Sequence, residues 1–403
     1  MGCKPIPLAI SMLLLLIVST FQVHAKTKDF ILTKYGARAD GKTDNSKVFL
    51  KVWNEACKRK GRNAIIIPPG VYMTNPVCFK GPCGGEMIFN NKGVVKAPSN
   101  PQLQVREWIA FKNIDRLTVF GDGTFDGQGH TAWPYKKKNK GLTLPIILMF
   151  NSISNSVIHH IKLIDSKSVH MKFFSCSNIH VDHVTVSAPG DSPNTDGIIV
   201  SRSHHIDISN SNIGSGDDCI ALLSGSKNVN ISHVNCGPGH GISVGSMGGR
   251  EGEKDIRGLL IQNCTFTNTT NGVRIKTKVN PSFPITASNI VFRDIIMSDV
   301  SNPIIIDQQY VNMMPGVHSL SIPYRKPEAE SQVQVADIKY INIRGSSKKQ
   351  VAVKFLCSKI KPCKKLNLKN INLKYDGQKG PAKSECVNAN GVALGKQNPP
   401  SCL

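Results

Sequence analysis

The sequence predicts an all-β chain wound as a right-handed parallel β-helix, with a short capping helix at its N-terminal end. Three observations carry this. Short β-rich runs with alternating apolar positions recur, and measured from Asn155, Asn178, His204 and Asn228 the steps are 23, 26 and 24 residues. Asn, Ser and Gly separate these runs, as turn chemistry requires. No helical pattern of 10–15 residues lies between them, which disfavours a βα barrel, and the regularly placed leucines of leucine-rich repeats are absent. Repeats of this length built from short strands define a solenoid, in which each coil buries its apolar face only against its neighbours.

The elements follow in order. Lys4, the apolar run from Ile6 to Val18 and the small residues at Val23-His24-Ala25 form a signal-peptide pattern over residues 1–25. The run is short for a membrane span, and no other segment qualifies. Asp44 or Asn45 can cap a helix that places Phe49, Val52, Trp53 and Ala56 on one face. Such a helix would cover the first coil, which a stacked core otherwise leaves exposed. Ala64-Ile65-Ile66-Ile67 reads as a buried strand ended by Pro68-Pro69-Gly70. The repeats then run from Asn155 through Ser288-Asn289-Ile290-Val291-Phe292 and still appear at Leu366-Asn367-Leu368-Lys369-Asn370-Ile371. A single β-helix domain over residues 26–403 is the expectation.

Secretion changes how the remaining features read. Eleven cysteines follow the signal segment, an odd count in a compartment where disulfides form. Cys219 and Cys236 are 17 residues apart, less than one coil, and are expected to pair. Cys357–Cys363 and Cys386–Cys402 are local candidates, and Cys57–Cys83 would pin the capping helix. That leaves Cys78, Cys176 and Cys264. Asn230, Asn263 and Asn268 head glycosylation sequons. The formal net charge of +23 attracts polyanions, and outside the cell an acidic polysaccharide fits better than nucleic acid. No membrane partner, cofactor or metal is expected, and the chain is expected to be monomeric.

Four segments concentrate the chemistry: Asn194-Thr195-Asp196-Gly197, Gly216-Asp217-Asp218-Cys219, Gly239-His240-Gly241 and Arg274-Ile275-Lys276. Asp196 to Asp217 is 21 residues and Asp218 to His240 is 22, each close to one coil. Residues one coil apart lie side by side, so three carboxylates and a histidine should converge on one face. Arg274 and Lys276 alternate with Ile275 and should point outward to solvent on that face. Taken singly, each residue has a plainer explanation. Asp196 suits a turn, Asp217-Asp218 a calcium site or an Asx turn, and His240 a crowded bend. Their coil spacing is what the plain explanations leave unaccounted for. Neighbouring acids repel and should raise one pKa, which keeps a carboxyl protonated as a general acid. Glycoside hydrolysis needs one such acid and one base, and two cations beside them suit a uronic acid polymer.

These segments resemble the signature of the polygalacturonases, glycoside hydrolase family 28. The resemblance covers essentially the whole mature chain and extends to Gly121-Asp122-Gly123-Thr124-Phe125-Asp126-Gly127, Ser187-Ala188-Pro189-Gly190-Asp191 and Ser301-Asn302-Pro303-Ile304-Ile305-Ile306-Asp307-Gln308. The pollen-type exopolygalacturonases of plants are the most similar branch. The resemblance implies that Asp217 is the general acid and that Asp196 and Asp218 hold and deprotonate the attacking water. It implies that His240 tunes the acid, that Arg274 and Lys276 bind galacturonate carboxylates, and that Tyr310 lines the leaving-side subsite, with Asn194 also at the substrate. It further implies inversion at the anomeric carbon, no metal, and exo action in the plant cell wall. Two segments depart from the usual pattern: Leu223, where relatives often carry Gly or Asn, and Lys278-Val279-Asn280-Pro281-Ser282-Phe283.

Other classes remain in view. A pectate lyase shares the β-helix but would use calcium and a basic residue. A silent wall-binding protein would hold polygalacturonate without cleaving it. A hydrolase of a rhamnose-containing backbone is a third, and endo action is the alternative to exo.

Overall fold

The computed structural model describes residues 27–101, 103–279, 283–310 and 330–403. The signal-peptide pattern and the centre of the Lys278–Phe283 segment lie outside the described residues. Every strand pairing is parallel, and the strands form one 19-stranded and one 11-stranded sheet. Their coils wind as a right-handed parallel β-helix. No described helix is long and apolar enough to cross a membrane.

The coil step is set by left-handed bends. Asn155, Asn178, His205 and Asn228 have φ of 49°, 54°, 54° and 51° and stand in register on successive coils. Asn and His tolerate that conformation better than branched residues do. The equivalent position is therefore His205 and not His204, and the true steps are 23, 27 and 23 residues. Asn178 Nδ2 donates to Asn155 Oδ1 at 2.8 Å, so the bends also form a ladder.

Between bends, alternate side chains point inward. Ile198, Ile220, Ile242, Val273 and Ile304 form one register column of the 11-stranded sheet, and all are fully buried. Near the N-terminal end the core is aromatic: Phe111, Phe150 and Phe173 stack through centroid distances of 5.4 and 5.0 Å. The helix Ser46–Cys57 closes this end, burying Phe49, Val52, Trp53 and Ala56. Its first turn is capped by Asp44, whose Oδ1 accepts the Ser46 N–H at 2.9 Å. Asn45 instead turns its amide to the carbonyl oxygens of Arg38 and Met73. Disulfides close Cys57–Cys83, Cys219–Cys236, Cys357–Cys363 and Cys386–Cys402, while Cys78, Cys176 and Cys264 are thiols.

Candidate active site

The outer face of the 11-stranded sheet carries the site. The sheet register pairs Ile198 with Ile220 and Ile220 with Ile242, a coil step of 22 residues in both cases. Counting back two residues from each, into the bends that precede these strands, stacks Asp196, Asp218 and His240 in one column. Asp217 lies one residue before that column, at the bend. The expected 21-residue step from Asp196 to Asp217 is thus a 22-residue step to Asp218, with Asp217 beside it.

Close backbone packing makes these bends. The Gly197 N–H donates to Asp218 O at 2.9 Å, and the His240 N–H donates to Asp217 O at 2.8 Å. The buried Thr195 hydroxyl accepts the Gly216 N–H at 2.9 Å, joining the first acidic turn to the second. A β-carbon on Gly216 would lie 1.9 Å from Ser192 O, which accounts for the glycine before the acid pair. The Cys219–Cys236 disulfide, with an S–S bond of 2.02 Å, fastens the same bend to the next coil.

The three carboxylates have different surroundings. Asp218 is 2% exposed and accepts from Arg274 Nη2 at 2.7 Å, Ser243 Oγ at 2.8 Å and Lys276 Nζ at 2.8 Å. Asp217 is half-buried and lies 3.0 Å from His240 Nδ1 and 3.1 Å from Asn194 Nδ2. Burial alone would raise its pKa. The hydrogen bond and charge of His240, and the charge of Lys276, outweigh burial and hold it at about 2. Asp196 accepts no side-chain hydrogen bond among the described residues. Burial, then the charges of Asp217 and Asp218, push its pKa well above the ordinary carboxylate value against the opposing charge of Lys276. Of these two shifted carboxyls, Asp196 is the one that holds its proton more readily.

Arg274 and Lys276 depart from expectation. Alternation places them outward, with Ile275 fully buried, but Lys276 is only 6% exposed and both cations hold Asp218. The rule of alternation gives the side of the sheet and not what covers it. The Tyr310 ring lies 5.3 Å from Lys276 Nζ, 6.0 Å from the Arg274 guanidinium and 4.5 Å from Lys278 Nζ. Asp217, Asp218 and His240 could together offer ligand atoms to an ion. Both oxygens of Asp218 are already engaged by Arg274 and Lys276, while Asp217 and His240 engage each other.

Three positioning groups escaped the sequence reading. Ser243 bridges the network, donating to Asp218 Oδ1 and accepting from Arg274 Nε at 3.0 Å. His170 is fully buried, and its Nδ1 meets Asp196 O at 3.1 Å while its Nε2 lies 3.4 Å from the Ser166 nitrogen. Burial lowers its pKa to about 4, leaving a neutral ring that braces the Asp196 backbone. Lys172 lies within electrostatic reach of Asp196. The coil spacing could have pointed to His170, which stands 26 residues before Asp196, about one coil. Nothing in the sequence marks Ser243. Of the sequons, Asn263 and Asn268 occupy exposed left-handed bends with φ of 52° and 54°, whereas Asn230 sits in a strand with its Oδ1 buried.

A solenoid groove holding a histidine, clustered carboxylates and paired cations defines a polysaccharide-cleaving class of β-helix. Residues 57–402 match the family model of the glycosyl hydrolases family 28, and the chain belongs to that family as a glycoside hydrolase. It is 42% identical over 392 residues to a polygalacturonase from Nicotiana tabacum, covering 96% of each chain. It is 42% identical over 384 residues to an exopolygalacturonase from Platanus acerifolia, covering 94% of this chain and 98% of that one. Among solved structures it resembles the endo-xylogalacturonan hydrolase from Aspergillus tubingensis, with a TM-score of 0.77 at 21% identity over 93% of this chain and 100% of that one. At that identity the last likeness concerns the fold.

Proposed function

We propose that the chain is an exopolygalacturonase of the pollen type. It would act outside the cell, in the wall, releasing galacturonate from the non-reducing end of de-esterified homogalacturonan. The observation that carries this is the Asp196–Asp218–His240 column with Asp217 beside it and two cations fixed behind. Asp217 would protonate the leaving glycosidic oxygen. Asp196, with Asp218, would take a proton from the water attacking the opposite face, inverting the anomeric carbon. His240 and Asn194 would orient Asp217. Arg274, Lys276 and Tyr310 would meet the substrate carboxylates and the leaving sugar through donors not spent on Asp218.

Two anchored segments support the exo reading as material that could close one end of a groove. The helix Trp133–Lys138 is docked, with the Trp133 indole N–H on Ser166 O at 3.0 Å and Lys137 on Asp191 at 2.9 Å. In the 248–254 loop, Glu253 accepts the Gly248 N–H at 2.5 Å and folds the loop back. Relatives called exopolygalacturonase, from Platanus acerifolia and Oenothera organensis, match at 42% and 39% identity. The deciding measurement follows viscosity and product size together on long polygalacturonate. Monomer from the first minutes with a slow viscosity fall is expected. Early mixed oligomers with a rapid viscosity fall would establish endo action instead.

The carboxylates also set a pH dependence. Asp196 and Asp217 titrate together as a pair, whose active form carries a single proton. The second proton binds as pH falls towards about 2, the value of Asp217, and the last leaves only above the raised value of Asp196. Substrate entry would exclude water from Asp217 and draw the proton there. The kcat profile should therefore stay high through the ordinary carboxylate range, near 4, and fall on its alkaline side only above it. An alkaline limb centred at or below that range would contradict the shared-proton reading.

A further inference from the structure

A second cluster of charge lies beside the catalytic groups. At the C-terminal ends of the same strands a cavity of about 630 Å³ is lined by Lys172, Arg202, Arg250 and Lys278, with Phe174 and Leu223 among its apolar lining. That volume suits a small ligand. Both departures from the family pattern meet here, since Leu223 and Lys278-Val279 line this one space. The 248–254 loop forms its wall through Gly249, Arg250, Glu251 and Glu253.

The cavity is built for anions. Lys172, Arg202 and Arg250 have no ion-pair partner among the described residues. Of the two acids in the wall, Glu253 is turned to the Gly248 N–H. The cations crowd one another. Burial, then Lys276 and Arg250, lower the pKa of Lys278; burial lowers that of the half-buried Lys172, with Arg250 and Arg106 adding to it against the charges of Asp196 and Glu107. Like charges held together in half-buried space are costly unless an anion joins them. Leu223 carries the apolar side onto the neighbouring outer cluster of Val169, Ile199 and Ala221, and Ile199 is the register neighbour of Lys172. The Arg202 guanidinium lies 5.8 Å from the Phe174 ring, which leaves a planar cation beside an apolar face. An apolar floor under convergent cations matches a sugar ring that carries a carboxylate.

We propose that this cavity is a subsite for a galacturonate unit neighbouring the cleaved linkage, and that Arg202 and Arg250 read its free carboxylate, so that a methyl ester at that unit blocks productive binding. The inference rests on the polygalacturonase reading above. An ester removes the negative charge and one strong acceptor oxygen, which leaves the two arginines without a counter-charge in the cavity. Losing one such charge-assisted bond should cost roughly tenfold in kcat/KM.

The test uses the full-length secreted enzyme with trigalacturonate and its three singly methyl-esterified forms, on the wild type, Arg202→Gln, Arg250→Gln and the double variant. Both arginines are exposed on bends and loops, so folding should survive, and unchanged circular dichroism checks this. For the wild type, the ester at one particular position should slow cleavage at least about tenfold beyond what catalytic-centre exclusion imposes on the others. Each single variant should lose roughly tenfold on the free trimer and narrow the gap to that ester, and the double variant should abolish the gap. An unchanged ratio of free to esterified rates in all three variants would overturn the subsite, as would wild-type kcat/KM on the free trimer. If the wild type cleaves no trigalacturonate at all, the polygalacturonase reading itself fails, and the inference with it.

Discussion

Asp217→Asn is expected to lower kcat on polygalacturonate by about two to four orders of magnitude, the usual worth of a general acid. The fold should be untouched. Asp217 is half-buried, and its Oδ1 takes the Asp218 N–H and meets the His240 ring, which an amide oxygen can also do, while the Asn194 amide must flip to present its oxygen to the new N–H. What the amide cannot do is deliver a proton to the departing oxygen. The loss should therefore depend on the leaving group. An aryl galacturonide whose phenol departs without protonation should lose far less than polygalacturonate does. Near wild-type turnover on polygalacturonate would remove Asp217 from the acid role, and an equal loss on both substrates would turn it into a positioning residue.

The sequence and the structure agree where local chemistry decides the outcome. Left-handed bends favour Asn, His, Asp or Gly, so the coil period shows in the chain as recurring Asn-Ile and Asn-Val pairs. The inward column of Ile198, Ile220 and Ile242 shows in the same way. A one-residue ambiguity survived, because His204 and His205 look alike and only φ of 54° at His205 identifies the bend residue. The same slip placed Asp217 in the column that belongs to Asp218. The larger difference lies in what long side chains do. Alternation correctly sends Arg274 and Lys276 to the outer face, yet both reach back across coils, 56 and 58 residues in sequence, to Asp218. No periodic pattern encodes such a reach. Nor does it encode that Leu223 and Lys278, far apart in the chain, border one cavity.

Asp196 and Asp218, stacked on neighbouring coils, should respond to the same change with opposite effects on stability. Asp218→Asn removes the negative charge from a 2% exposed position where Arg274 and Lys276 converge. Those cations would then repel each other in a buried space without a counter-charge, a loss on the order of 3–5 kcal/mol for a broken buried pair. Thermal unfolding should begin earlier, and activity should vanish with it. Asp196→Asn should also abolish activity, because the base that takes the water proton is gone. Its stability should nevertheless rise at neutral pH. The folded pKa of Asp196 lies above the unfolded value of about 3.9. Below that unfolded value the carboxyl is protonated in both states and costs nothing. As pH climbs from there to the raised folded value, the unfolded chain releases a proton that the folded chain must hold, and folding weakens. A neutral amide removes this penalty and the repulsion from Asp217 and Asp218. The Tm difference between Asp196→Asn and the wild type should therefore be positive at pH 7 and shrink towards zero as the pH approaches 3.9 from above. Melting curves of both variants across that range decide the matter: a Tm below wild type for Asp196→Asn at pH 7 would mean that Asp196 is held by stabilising contacts rather than strained by its neighbours.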